Sequence, residues 1–264
     1  MISITSAELN ALLAAFLWPL SRILALIASA PVLGNPSVPL QTKIGIALMI
    51  TLAVAPTLGP LPQVDPGSEA GLLVLVQQVI IGVAMGFAMR VVFAAVEMAG
   101  ELAGLQMGLG FATFFDPQNT GDIPIIGSFL SLLVTLAFLA VDGHLKMIAL
   151  LSQSFTALPI STDGIAAPGL RTLAHWGGEI FLAGLLLALP LLAALLITNL
   201  ALGILTRAAP QLNIFAVGFP LTLAIGLLVL TLAMPYFAPL LERMIQDGLQ
   251  MMPQIAERLR INPR

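Results

Sequence analysis

The stretch GELAGLQMGLGFATFFDP, Gly100 to Pro117, lies between long apolar runs. It sets glycines at 100, 104, 108 and 110 beside two carboxylates, Glu97 and Glu101, and ends in two adjacent phenylalanines before Asp116-Pro117. Reading backward, nothing stronger than glycine interrupts Val79 to Leu109, so the spacing predicts a single helix. At ~100° per residue, Gly82, Gly86, Arg90, Glu97, Gly100, Glu101, Gly104 and Gly108 share an arc of roughly 100°. The opposite face carries Ile81, Met85, Val92, Val96 and other apolar residues, with Val79, Val83 and Phe93 intruding on the small-residue side.

Two physical reasons mark this arc as a protein contact. Glycines at i and i+4 let a second helix backbone approach closely, which favours association where lipid supplies no hydrophobic drive. A charge turned toward acyl chains costs a few kcal/mol, so Arg90, Glu97 and Glu101 are expected to face partners or water. The glycines alone are equally consistent with packing inside one bundle. The carboxylates point either to a larger assembly with a water-filled path or to a proton relay in a small secondary transporter. A helix over Val79 to Leu109 would measure ~46 Å, beyond a ~30 Å hydrocarbon core.

Beyond the helix the character changes. Gly108 and Gly110 loosen the backbone, and Phe111, Phe114 and Phe115 arrive before Asp116-Pro117 stops any helix. With the compliant Met107, such a segment suits a hydrophobic constriction that closes a pore by excluding water, although aromatics also simply fill cores.

The composition agrees with a membrane setting. Of 264 residues, 59% are hydrophobic and 9% charged, against roughly 25% charged in soluble domains. The mean hydropathy is +1.04. A formal net charge of −3 offers no basic surface for nucleic acid. There are no cysteines and two distant histidines, His144 and His175, so neither disulfides nor a metal centre is expected. No nucleophile elbow, P-loop or dinucleotide fingerprint occurs, so neither catalysis nor a cofactor is expected. Ala28-Ser29-Ala30 resembles a signal-peptidase site. However, no basic residue precedes the apolar run, Arg22 lies inside it and Pro31 follows the site, so an uncleaved membrane segment is expected.

Apolar runs at Leu9–Val32, Ile44–Leu58, Leu72–Val96, Ile125–Val141, Ile180–Leu205 and Ile214–Leu241 give about six candidate spans. Pro31, Gly34, Pro36 and Pro39, the acidic turn segment Gly59 to Glu69, and Asp116 to Pro124 separate them. The largest hydrophilic insert, Asp142 to Gly178, is expected to project from the membrane. From Gly178 onward the pattern reads as a helical hairpin with its tip at RAAPQLN. An amphipathic tail follows from Glu242, and its arginines 243, 258, 260 and 264 place the C-terminus in the cytoplasm.

Three long blocks, Phe93 to Pro117, Leu139 to Ile160 and Asn199 to Leu223, together with FLWPLSRILALIASAPVLG (Phe16 to Gly34), resemble the FliR family of type III export-gate subunits, which also has virulence-system relatives. The resemblance covers nearly the whole chain and thins after Glu242. It implies an all-α, noncatalytic subunit that assembles with FliP and FliQ into a helical, ring-like channel for unfolded flagellar proteins. FlhB and FlhA are implied as further partners, and the cytoplasmic membrane at the flagellar basal body as the location, with the gate largely above the membrane plane. Residues 1–177 would be FliP-like, carrying a gate loop at 106–117, and residues 178–264 a FliQ-like hairpin. The family's plug falls on Met107, Gly108, Gly110, Phe111, Phe114 and Phe115. Gly82, Gly86, Gly100 and Gly104 would serve assembly, while Arg90, Glu97 and Glu101 would face partners or the lumen.

Overall fold

The computed structural model describes residues 6–59, 61–62, 64–110, 124–210 and 214–261, without the side chains of residues 6, 7, 9 and 214–216. These form seven α-helices: α1 (Ser6–Ser29), α2 (Leu40–Val54), α3 (Glu69–Gln106), α4 (Ile125–Ala140), α5 (Gly143–Ala157), α6 (Ala167–Ala208) and α7 (Ile214–Leu259). A short 3-10 turn, Ala55–Thr57, extends α2. The long glycine-bearing helix exists as expected, but it starts ten residues before Val79. Its start is fixed locally. Gly67 N–H meets Asp65 Oδ1 at 2.9 Å, and Ser68 Oγ accepts Gly71 N–H at 3.1 Å, a side-chain cap on the first turn.

Five helices, or six counting α4 and α5 as one bent span, are long and apolar enough to cross a bilayer. Helices α3, α6 and α7 have 38, 42 and 46 residues. At 1.5 Å per residue they run ~57 to ~69 Å, about twice the hydrocarbon thickness. Such elements tilt or leave the bilayer. Pro190 lies inside α6 and Pro220, Pro235, Pro239 and Pro253 inside α7 without ending either helix.

The chain divides into two compact units, residues 1–91 with 142–177 and 245–264, and residues 92–141 with 178–244. The second unit is built from the end of α3, α4, most of α6 and the first two-thirds of α7. Its core includes Phe93, Leu130, Val134, Phe138 and Leu195, with the Phe93 and Phe138 rings edge to face at 5.6 Å. The first unit takes α1, α2, the start of α3, α5, the start of α6 and the end of α7. The insert after Asp142 carries a packed helix, α5, which buries Met147, Leu151 and Phe155 on one face. Asp142 itself turns the chain in the left-handed region (φ 56°). The tail after Glu242 continues α7. Its apolar stripe, Ile245, Met252, Ile255 and Leu259, is buried in the first unit while Arg243, Arg258 and Arg260 stay exposed.

At the centre of the first unit lies Arg22, fully buried on α1. Its Nε donates to Gln78 Oε1 (2.8 Å), Nη1 to Ser154 O and Oγ (3.1 and 3.2 Å), and Nη2 to Leu158 O (3.0 Å). The guanidinium also lies 4.2 Å from the centre of the Phe155 ring. All these acceptors are uncharged, so the planar fork is neutralised by dipoles and a π face, and one residue ties α1 to α3 and α5. Beside it, Gln77 reaches the following connection. Its amide, oriented to suit its neighbours, meets Ser161 O at 3.1 Å and Gly164 N–H at 3.2 Å.

Replacing Arg22 by Ala strands several buried acceptors and is expected to cost roughly 3 kcal/mol or more. Lysine recovers only part, because an ammonium on a flexible stem cannot fork to three acceptors and stack. Thermal unfolding of the purified full-length variants checks the order wild type, Lys, Ala.

Candidate functional site

Helix α3 meets its neighbours at backbone distance, and the sequence shows why. A Cβ on Gly82 would collide with Arg22 O and Ala25 of α1, and one on Gly86 with Ser29 and Leu26 O. In the second unit, a Cβ on Gly100 would run into the backbone of Gly127 in α4. Gly184 of α6 completes the set, since a Cβ there would lie 2.9 Å from Ala95 O of α3. Close approach of this kind maximises dispersion contact between helices. At Gly82, Gly86 and Gly100, where helix packing or assembly was expected, the neighbours on those faces are helices of the same chain. Gly104 differs from the other three. Its nearest neighbours, Leu109 and Ile126, would lie 3.8 Å or more from an added methyl.

The charged members of the stripe, Arg90, Glu97 and Glu101, are all exposed on α3. Trp176 marks a polar contact that the sequence pattern did not reveal, its Nε1–H donating to Ala88 O at 2.7 Å in the first unit.

The end of α3 is built as a specific turn. Gly108 adopts φ +84°, and its N–H donates to Leu105 O at 3.1 Å while Leu109 N–H reaches back to Gly104 O at 3.0 Å. These are the two bonds of a Schellman termination, which requires a residue without a Cβ at the left-handed position. Gly108 is therefore a helix stop, where the sequence suggested a loosened backbone. Met107 is fully buried; its side chain fills the space left by Gly226 of α7, and its carbonyl accepts Thr222 Oγ1–H at 3.1 Å. Gly110 is half-buried near Leu105. The expectations at Phe111, Phe114 and Phe115 lie outside the described residues. So Met107, Gly108 and Gly110 lie together at one end of α3, whereas Gly82 and Gly86 belong to the first unit.

Sequence reasoning missed three participants. Arg22 was read only as an argument against a leader segment, yet an arginine inside an apolar run carries its own signal that a polar nest must be built for it. Thr222 and Gly226 lie four residues apart on one face of α7, but nothing local shows that α3 ends opposite them. Much of α6 and α7 remains apolar and uncovered, with Ile197 at 69% and Leu232 at 65% exposure.

Long apolar helices, close glycine contacts and outward apolar faces define an all-helical integral membrane protein. Residues 13–248 match the model of the bacterial export proteins, family 1, and the chain belongs to that family. It is 46% identical over 259 residues to the flagellar biosynthetic protein FliR of Pectobacterium carotovorum subsp. carotovorum, covering 98% of this chain and 99% of that protein. The FliR protein of Escherichia coli K12 is 45% identical with the same coverage. That of Bacillus subtilis 168 is 31% identical over 224 residues, 83% of this chain and 86% of that protein.

Gly100→Val is expected to push α4 from α3 and remove most folded protein. Gly104→Ala should be tolerated, and Gly203→Ala, which meets nothing within 4 Å, should be neutral or slightly stabilising. Size-exclusion profiles and thermal midpoints of the three variants in detergent check the ranking.

Proposed function

We propose that this chain is a noncatalytic subunit of the flagellar type III protein export gate, joining FliP and FliQ in a channel for unfolded flagellar proteins. The observation that carries this reading is its similarity to FliR proteins at 45–46% identity across 98% of the chain. Three helices about twice as long as a bilayer is thick, with uncovered apolar flanks, support a chain whose greasy surface is completed by other subunits. FlhB and FlhA are the further partners, and the site of action is the cytoplasmic membrane at the flagellar basal body, with the gate projecting toward the periplasm. Residues 1–177 carry the FliP-like role and residues 178–264 the FliQ-like one. The segment 106–117 is the plug, with Phe111, Phe114 and Phe115 excluding water from the closed pore.

A proton-coupled transporter would use Glu97 and Glu101 as its relay. Intramembrane relay carboxylates face the interior of their own bundle. Here both are exposed on α3, which suits residues turned toward partner subunits or a shared lumen.

Changing Phe111, Phe114 and Phe115 together to Ala is expected to let ions through the membrane of cells making the complex, with complex yield unchanged. Membrane-potential dye response and co-purification with FliP and FliQ provide the two readouts. Solute uptake by the isolated, reconstituted chain that Glu97→Gln abolishes would replace the gate reading with the transporter.

A further inference from the structure

We propose that Thr222 and Gly226 of α7 are positioning residues that hold the root of the plug, with Met107 as the fixed peg between them. This rests on the plug reading above. The last turn of α3 spends its carbonyls in order. Ala103 O takes Met107 N–H at 2.9 Å, Gly104 O takes Leu109 N–H and Leu105 O takes Gly108 N–H. Met107 O stands at a buried helix end, where an unpaired carbonyl is disfavoured, and it accepts from Thr222 of another helix.

The geometry at Thr222 has a second property. Its hydroxyl lies 3.1 Å from Met107 O and also 3.1 Å from Phe219 O in its own helix. One hydrogen therefore lies within reach of two acceptors, so the hydroxyl bridges the end of α3 and its own helix. Gly226 lies one turn further along α7. A Cβ there would stand 2.6 to 2.8 Å from Met107 Cγ, Sδ and Cε, so the absence of a side chain makes the socket that Met107 fills. The chain then leaves α3 through Gly108, whose positive φ sets the direction of exit. Met107 is thus the fixed end of the device, held by α7.

The test uses the complex co-expressed with FliP and FliQ and reads membrane-potential loss alongside complex yield. Thr222→Val keeps the side chain's shape and removes only its hydrogen bond, while Thr222→Ser keeps the bond. Losing an interhelical bond of this kind shifts a closed-to-open ratio about threefold to tenfold. The expected result is therefore a leak from the Val variant at undiminished complex yield, with the Ser variant as tight as the parent. If the Val variant does not assemble, Gly226→Ala, which crowds Met107 without touching the bond, gives the same readout. A Val or Ala variant that assembles and stays tight, while the triple phenylalanine variant leaks, overturns the anchoring role and leaves the plug intact. If the triple variant is tight as well, the plug reading fails and the anchor with it.

Discussion

Everything in the fold depends on how near another backbone comes to α3. At Gly82, Gly86 and Gly100 the approach is so close that a single methyl group would meet main-chain atoms or the Ser29 side chain. Gly184 and Gly226 impose the same restriction from the facing helices. In an apolar solvent, helices gain little from hiding leucine, so intimate van der Waals contact and interhelical hydrogen bonds take over. That is why half of α3 is buried while α6 and α7, with larger side chains outward, are mostly uncovered.

Three polar side chains inside this structure find their partners in backbone or uncharged side-chain dipoles. Arg22 is held by carbonyls, a serine, a glutamine and a phenylalanine ring; Trp176 and Thr222 each satisfy a carbonyl of the α3 segment. The Arg22 nest fastens the N-terminal helix to α3 and α5, and the Thr222 contact fastens α7 to the end of α3. The exposed Arg90, Glu97 and Glu101 lie on the same helix but outside this internal network, which leaves them available to surroundings beyond the chain.

Much of this was legible in the sequence. The count of about six spans and the long glycine helix followed from hydropathy, period and breakers, because these depend on local chain chemistry. Partner identity across helices did not. The i,i+4 glycines announced a close contact but could not say that α1 and α4 of the same chain would fill it. Gly108 read as flexibility because a positive φ and a Schellman termination become visible only with coordinates. The Asp142 insert read as a projecting segment because its polar residues dominate the composition, and the helix inside it, which packs Met147, Leu151 and Phe155 in the first unit, was not foreseen. The amphipathic pattern of the tail after Glu242 was legible, and its stripe of Ile245, Met252 and Leu259 packs there too.

An electron cryo-microscopy map of the chain assembled with its partner subunits is the most direct test of this arrangement. The account predicts that density against Gly82, Gly86 and Gly100 belongs to α1 and α4 of the same polypeptide, with Met107 seated beneath Thr222 and Gly226. A map in which another subunit's helix occupies those glycine faces, or in which Met107 has left its socket in the closed gate, would contradict it.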